Sequence, residues 1–309
     1  MLRNRIFYTL KPLCPRLLQI YLRRLIARNK RRKYKHVWPI DPDAGNPPKN
    51  WRFWPQNKTF AFVLSHDVDT LQGYERVPQL IELEKKAGFR SAFNFVPERY
   101  GPISLGLIKR LKKNGFDVAV HGLKHDGKLF RSKRLFEKRA LRINAYLKRW
   151  DAKGFTSPSM HHNLRWLSVL DIEYSVSTFD TDPFEPQPDA LQSIYPLWVL
   201  NALPYHGFVE LPYTLPQDFT LFCILQERDI GIWKQKLSWI AQNGGMALLN
   251  SHPDYMNFED SRSDFLQYPV KYYEDFLEHI KTEYRDQYWH TTPREIALFW
   301  RRLMANTDR

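Results

Sequence analysis

The chain has 309 residues, enough for one large α/β domain with a full hydrophobic core. The net charge of +14 is concentrated in residues 1–36, which hold 12 Lys and Arg and no Asp or Glu, so the rest is nearly neutral. This distribution argues against a nucleic-acid-binding protein, which needs a basic surface on the fold itself. The only cysteines, Cys14 and Cys223, exclude a disulfide framework and are consistent with a reducing compartment.

Residues 1–36 are predicted to form a basic amphipathic arm. A helix is expected from Arg16 to Arg28, and four residues share its apolar face: Leu18, Tyr21, Leu22 and Leu25. An apolar face beside a cationic run suits peripheral contact with an anionic membrane. The alternative is a helix packed on the domain and followed by a solvated linker. The chain shows no apolar run of transmembrane length and no secretory signal, so we expect a cytoplasmic location, peripheral at the inner membrane face.

Residues 37–58 are rich in proline and are expected to be a linker or a wrapping segment. From Thr59 onward, apolar strands alternate with helices. The predicted strands are Thr59–Leu64, Ser91–Val96, Asp117–Val120, Gly154–Ser157, Tyr174–Thr178, Phe208–Leu211 and Met246–Asn250. The predicted helices are Tyr74–Ala87, Ile103–Asn114, Leu129–Trp150, Asn163–Leu170, Ile230–Gln242, Phe265–Tyr284 and Pro293–Met304. This alternation predicts a distorted β/α barrel of about seven parallel strands over residues 59–309.

Five acidic and imidazole side chains follow the predicted strands, where barrel loops converge. Asp67 and Asp69 come two apart after the first strand, and two neighbouring carboxylates repel each other unless a cation or proton intervenes. His121 and His125 follow the third strand, and a spacing of four would place both imidazoles on one face of a helical turn. His252 follows the last strand, where a histidine is suited to act as a general acid. These residues together indicate a metal-assisted hydrolase.

The order of these motifs resembles the polysaccharide deacetylase family, the NodB-homology domain of carbohydrate esterases. The resemblance covers roughly residues 59–255. Its first motif is matched by Asp67 and Asp69 within His66-Asp67-Val68-Asp69, its second by His121 and His125, and its last by His252. A third motif is approximated by Phe155-Thr156-Ser157-Pro158-Ser159. The fourth offers Asp180 or Asp182.

The resemblance implies a distorted β/α barrel with one divalent ion, usually zinc, with cobalt or nickel also used. It implies that Asp69, His121 and His125 hold the ion and that Asp67 is the catalytic base. In the same scheme His252 is the general acid, oriented by Asp180 or Asp182. The implied activity is hydrolysis of an N-acetyl group of a carbohydrate, in the setting of cell-surface polysaccharide biosynthesis.

One position departs from the family pattern. Thr156 stands where the family usually has an arginine that orients the base, and a hydroxyl cannot replace a planar charged fork. Arg165, on the following helix, could fill that space. Two alternatives remain open from the sequence: a catalytically impaired protein that binds carbohydrate, and a hydrolase of cyclic or linear amides other than sugars.

Overall fold

The computed structural model describes residues 15–49, 51–200, 207–259 and 264–307, with side chains described as far as residue 304. The first 14 residues of the predicted arm, with Cys14, lie outside the described residues. All statements below refer to the described part of the chain.

A curled nine-stranded sheet forms the centre of the domain. Its strands are β1 Phe60–Val68, β2 Ala92–Phe95, β3 Asp117–His121, β4 Gly154–Thr156, β5 Tyr174–Val176, β6 Leu197–Leu200, β7 Gly207–Glu210, β8 Met246–Ser251 and β11 Tyr288–Thr291, and a separate pair is formed by β9 Met256–Asn257 and β10 Tyr268–Pro269. Neighbours in the sheet run in the order β11-β1-β2-β3-β4-β5-β7-β6, and β8 pairs with β1. Eight strands are parallel, and β6 is antiparallel to β7.

Helices connect and cover these strands. They are α1 Arg16–Lys33, α2 Leu71–Ala87, α3 Leu105–Lys113, α4 Lys133–Trp150, α5 Leu164–Leu167, α6 Gly231–Asn243, α7 Lys271–Glu283 and α8 Pro293–Thr307. A π-helical turn, Phe219–Leu225, follows the β7 region. The α2 and α6 helices each end at a glycine in the left-handed conformation, Gly88 and Gly244, as expected for helix C-termini.

Strand β1 organises the functional end of the sheet. All nine of its residues are buried, as expected for a parallel strand covered on both faces, and its first five residues are apolar. The polar residues Ser65, His66 and Asp67 lie near its carboxyl end. On one edge β1 pairs with β8 from Ala61 to His66. On the other edge it pairs first with β11 and then, over Ser65–Val68, with β2. The carboxyl ends of β1, β2, β3 and β8 therefore meet around the residues that follow β1.

The segment between α1 and β1 packs on the barrel. Trp54 is buried, and its Nε1 donates a 2.8 Å hydrogen bond to the carbonyl of Gly244. The ring of Trp51 lies 5.3 Å from that of Trp300 in α8, and the Ile194 amide donates to the Ala44 carbonyl. These contacts place residues 44–54 against the end of the sheet where β1 begins, whereas Val37 and Trp38 contact Thr181 and Phe184 in the loop that follows β5.

The predicted fold class is confirmed. The observed sheet has eight parallel strands, where about seven were expected, because β11 was not recognised among the C-terminal helices. The predicted helix Phe265–Tyr284 begins only at Lys271, since β10 occupies its first turn. The added antiparallel strand β6 lies at the edge of the sheet, where it leaves the order of the site-bearing strands unchanged.

Candidate active site

Asp67 lies at the end of β1, and its carboxylate is held by two amides. Asn94 of β2 donates from Nδ2 to Oδ1 at 2.8 Å, and Asn250 of β8 donates from Nδ2 to Oδ2 at 2.8 Å. The hydroxyl of Thr156, at the end of β4, donates to Oδ1 at 3.2 Å. Neutral donors from three strands thus orient Asp67. Arg165 does not fill this place: its side chain is exposed, so the expectation that it replaces the family arginine is wrong.

Thr156 also fixes the imidazole of His121. The His121 Nδ1 lies 2.5 Å from the Thr156 hydroxyl oxygen, whose own proton points to Asp67. Because that hydroxyl proton is already committed, Nδ1 is the donor, and the lone pair of the neutral ring is left on Nε2. Nε2 lies 3.2 Å from Oδ1 of Asp69. Burial lowers the pKa of His121, but Asp67 and Asp69 outweigh it and raise that pKa above its ordinary value.

His125 reaches the same point from a loop and not from a helical turn, so the predicted geometry of the histidine pair is wrong. The residues after β3 are irregular, and His125 itself has a φ of +51°. Gly122 has a φ of +61°, and a Cβ there would lie 2.5 Å from Cγ of Pro158. This tight turn brings the two imidazoles to a centroid separation of 5.2 Å. Histidines four residues apart are therefore brought together here by a turn at a glycine.

The three predicted ligands converge as a metal site requires. One donor atom from each of Asp69, His121 and His125 lies within 4.8 Å of the others. Both Nε2 atoms lie close to Oδ1 of Asp69, at 3.2 Å for His121 and 3.1 Å for His125. Ligand atoms at zinc distances in a tetrahedron are about 3.3 Å apart. Oδ1 of Asp69 is buried and accepts no hydrogen bond of good geometry from any described residue. These residues fit a divalent ion.

The charge state of Asp69 agrees with this fit. Burial raises the pKa of this carboxyl, but the neighbouring His125 and His121 outweigh it and hold the pKa well below its ordinary value. A carboxylate that stays ionised while nearly buried has the form that a cation binds.

Asp254 anchors the backbone of Asp69. Its Oδ2 accepts the Asp69 amide at 3.0 Å, and its Oδ1 accepts the hydroxyl of Thr70. Gly73 makes this approach possible, because a Cβ at that position would lie 2.3 Å from Oδ2. Burial and the charge of Asp69 raise the pKa of Asp254 to about 6. The turn after β1 is therefore pinned from the loop that follows β8.

His252 is oriented by Asp218, which the sequence analysis did not identify. The His252 Nδ1 lies 2.7 Å from Oδ1 of Asp218, and the His252 amide donates to Oδ2 of the same carboxylate at 2.9 Å. The hydroxyl of Tyr268 donates to Oδ2 at 3.0 Å. Burial lowers the pKa of His252, but Asp218, with further contributions from Asp69 and Asp67, raises it to about 10. His252 is thus a buried imidazole with a raised pKa, close enough to Asp69 and Asp67 for both charges to contribute to it.

Asp180 and Asp182 do not orient His252, so that prediction is wrong. Asp180 forms a buried ion pair with Lys236 of α6 at 2.5 Å, and burial raises its pKa to about 6. Asp182 accepts the Tyr213 hydroxyl at 2.9 Å, and the same hydroxyl lies 2.8 Å from Glu185. Burial and the charge of Glu185 raise the pKa of Asp182 to about 8. Both carboxylates therefore have other partners.

Four residues of the site were not assigned from the sequence: Asn94, Asp218, Asn250 and Asp254. Asn94 and Asn250 lie on the predicted second and last strands, so a search for polar residues inside apolar strands would have found them. Asp254 lies in the segment that contains His252. Asp218 carries no such signal, because it begins a π-helical turn inside an aromatic loop and meets His252 only through the fold.

No family model matches the chain, and no curated protein matches its sequence. A solved structure assigned as a polysaccharide deacetylase from Mycobacterium smegmatis superposes with a TM-score of 0.63 at 16% identity, covering 84% of this chain and 96% of that chain. PuuE allantoinase superposes with a TM-score of 0.61 at 16% identity, covering 85% of this chain and 97% of that one. The chain therefore has the NodB-like fold that its motifs indicate.

Proposed function

We propose that this protein is a metal-dependent carbohydrate N-deacetylase, with an N-acetylated sugar of cell-surface polysaccharide biosynthesis as its substrate. One observation supports the proposal: three side chains that could hold an ion, a fixed carboxylate and a histidine paired with a carboxylate meet at one end of the sheet. Hydrolysis of an amide needs these three functions, namely activation of water, acceptance of its proton and protonation of the amine that leaves.

The ion would be held by Asp69, His121 and His125. Two imidazoles and one carboxylate form a common donor set for zinc, and cobalt or nickel can bind the same set. When bound, such an ion lowers the pKa of water and polarises a carbonyl oxygen. The Thr156 hydroxyl supports the site by fixing the Nδ1 proton of His121, so that Nε2 is free to act as a ligand.

Asp67 is the proposed general base. Its two oxygens already accept hydrogen bonds from Asn94, Asn250 and Thr156, and these neutral donors hold the carboxylate in one orientation. These donors therefore orient Asp67 in place of the arginine that the family usually has, although they do not supply its positive charge. This arrangement favours an active enzyme over the catalytically impaired alternative.

His252 is the proposed general acid. Its Nδ1 proton is committed to Asp218, which leaves Nε2 to deliver a proton to the departing amine. The Asp218 carboxylate stabilises the imidazolium in a buried position, so the acid form is present at neutral pH. Asp218 is a positioning residue in this scheme, because it acts through His252.

A second candidate, an amide hydrolase acting on a compound other than a sugar, is favoured by the similarity to PuuE allantoinase. Its match covers nearly the whole of that enzyme at a TM-score close to that of the deacetylase. The same ion site, base and acid would serve either reaction, since both cleave a C–N bond. The difference between the two candidates lies in the substrate.

An acetate-release assay tests the proposal. Metal-depleted protein is reconstituted with zinc, cobalt or nickel and incubated with N-acetylglucosamine oligomers, nucleotide-linked N-acetyl sugars and allantoin. We expect metal-dependent acetate release from at least one N-acetylated sugar and none from Asp67→Asn. Ring opening of allantoin without acetate release would favour the second candidate. No turnover of any substrate with a loaded site would favour the impaired alternative.

A further inference from the structure

Helix α1 packs on the domain through the side that is poorer in apolar residues. Only Ile20 and Ala27 of its 18 residues are buried, against a small cluster formed by the π-helical turn and Leu266. Polar contacts add to this packing. Arg24 donates to the carbonyls of Cys223 and Phe265, and Lys30 donates to the carbonyl of Pro183 at 2.6 Å.

The opposite side of α1 exposes its large apolar residues to solvent. Six side chains are between 42% and 64% exposed: Leu17, Leu18, Tyr21, Leu22, Leu25 and Ile26. A helix of a soluble domain normally buries such a stripe and exposes its charged side. Here the orientation is reversed, so the exposed stripe is suited to contact with an apolar environment outside the chain.

The charge around the stripe selects the kind of partner. Exposed basic side chains, among them Arg28, Arg32 and Lys33, follow the stripe, and residues 1–36 contain no acidic residue. A second copy of the chain would bring another cationic segment to the same place, which like-charge repulsion disfavours. A bilayer surface that contains anionic lipid offers both an apolar layer and negative charge. We propose that α1 docks the protein on such a bilayer through its leucine-rich stripe.

This docking would place the candidate active site at the membrane. The guanidinium of Arg23 lies 5.0 Å from the ring of Phe219, whose centroid is 4.7 Å from that of Tyr255. The ring of Tyr255 is 5.3 Å from His252. Only two aromatic side chains thus separate α1 from the proposed general acid. This proximity indicates an N-acetylated sugar attached to a membrane lipid as the class of substrate, an inference that rests on the proposed function.

Vesicle sedimentation of the full chain tests the docking. Vesicles of phosphatidylcholine mixed with the anionic lipid phosphatidylglycerol are compared with vesicles of phosphatidylcholine alone. A variant of the leucine-rich stripe, the stripe variant, carries Leu18→Ser, Leu22→Ser and Leu25→Ser. The matched control carries Leu71→Ser, Leu105→Ser and Leu141→Ser, which change three leucines that are also exposed on helices.

We expect the wild type and the control to sediment with the anionic vesicles, and the stripe variant to bind at least about tenfold more weakly. Replacing Arg28, Arg32 and Lys33 with serine should weaken binding about fivefold per residue. Equal sedimentation of the stripe variant and wild type would overturn the proposal. So would a wild-type dimer in sedimentation velocity that the stripe variant lacks, because that result would assign the stripe to self-association.

The outcome is independent of the proposed catalysis. Acetate release from a water-soluble N-acetyl sugar is measured on the same proteins without vesicles, and the stripe variant should equal the wild type there. Loss of sedimentation with retained acetate release supports docking through the stripe. Sedimentation without acetate release from any N-acetyl sugar, whether water-soluble or attached to a lipid in the vesicles, would leave the docking intact and refute the deacetylase proposal.

Discussion

Replacement of Asp218 by asparagine tests the assignment of His252 as the acid. The asparagine side chain keeps the size of the aspartate and removes the negative charge. It also keeps only one acceptor oxygen, whereas Asp218 accepts the Phe219 amide at Oδ1 and the His252 amide at Oδ2. The exposed Asp229, which also accepts a backbone amide on the same connection, offers a matched control as Asp229→Asn. The variant and the control therefore differ in whether the lost charge faces His252.

The expected shift in the pKa of His252 follows from its contact with Asp218. Asp218 lies 2.7 Å from Nδ1 of His252 and is the largest of the charges that raise its pKa to about 10. An opposite charge at such a distance shifts a pKa by about 1–3 units, or about 1.4–4 kcal/mol in favour of the imidazolium. Asp218→Asn should therefore lower the pKa of His252 by that amount and leave less of the acid form at neutral pH.

The measurement is kcat as a function of pH between about 5 and 11, a range that includes the titration of an imidazole whose pKa is raised to about 10. We expect the alkaline limb, which reports loss of the acid, to move down by about 1–3 pH units in Asp218→Asn and to stay in place in Asp229→Asn. A histidine whose pKa is higher in the folded than in the unfolded state stabilises the protein fully when the pH is below the unfolded-state pKa. This stabilisation is lost as the pH rises through the folded-state pKa. The stability deficit of Asp218→Asn in metal-depleted protein should accordingly shrink as pH rises toward the folded pKa of about 10. An unmoved alkaline limb would refute the assignment.

Three further substitutions probe the rest of the site. Asp67→Asn should keep the metal and lower kcat by about 10²- to 10⁴-fold, since it removes the base but no ligand; undiminished turnover would exclude Asp67 as the base. Thr156→Val removes the acceptor of the His121 Nδ1 proton, so metal affinity measured by competition with a chelator should fall about 10- to 100-fold, and an unchanged affinity would contradict the role given to the hydroxyl. Asp182→Asn should raise the free energy of unfolding near pH 8, measured with urea, by about 1 kcal/mol or more. The reason is that Asp182 has a folded-state pKa of about 8, so the stability of the wild type declines as the pH rises from about 4 through 8. An equal decline in the variant would show that the Asp182 carboxyl does not titrate in this way.

The sequence predicted the fold and the convergence of the three candidate ligands, because both depend on strand order. Apolar strands alternating with helices define a parallel sheet, and residues just past the strands must meet at its carboxyl edge. Asp69, His121 and His125 come together for that reason, although His125 does so through a left-handed loop conformation and not a helical turn. Spacing alone does not distinguish these two geometries, since both bring imidazoles four apart onto one ion.

The partner of His252 was predicted wrongly because it depends on loops. Asp180 and Asp182 lie next to a strand and carry the right charge, but each is held by a closer partner, Lys236 for one and Tyr213 for the other. Asp218 lies in a connection that the sequence marks only as aromatic. Its position depends on how the π-helical turn packs against the loop after β8, and neither periodicity nor spacing encodes that contact.

The direct test of the central claim is the metal content of purified protein, compared between the wild type and Asp69→Ala by mass spectrometry after loading with zinc and removal of unbound ion. Asp69 supplies the buried oxygen on which both imidazoles converge, so we expect a single ion per wild-type chain and almost none in the folded variant. Full occupancy in Asp69→Ala, or an empty wild type after loading, would contradict the account.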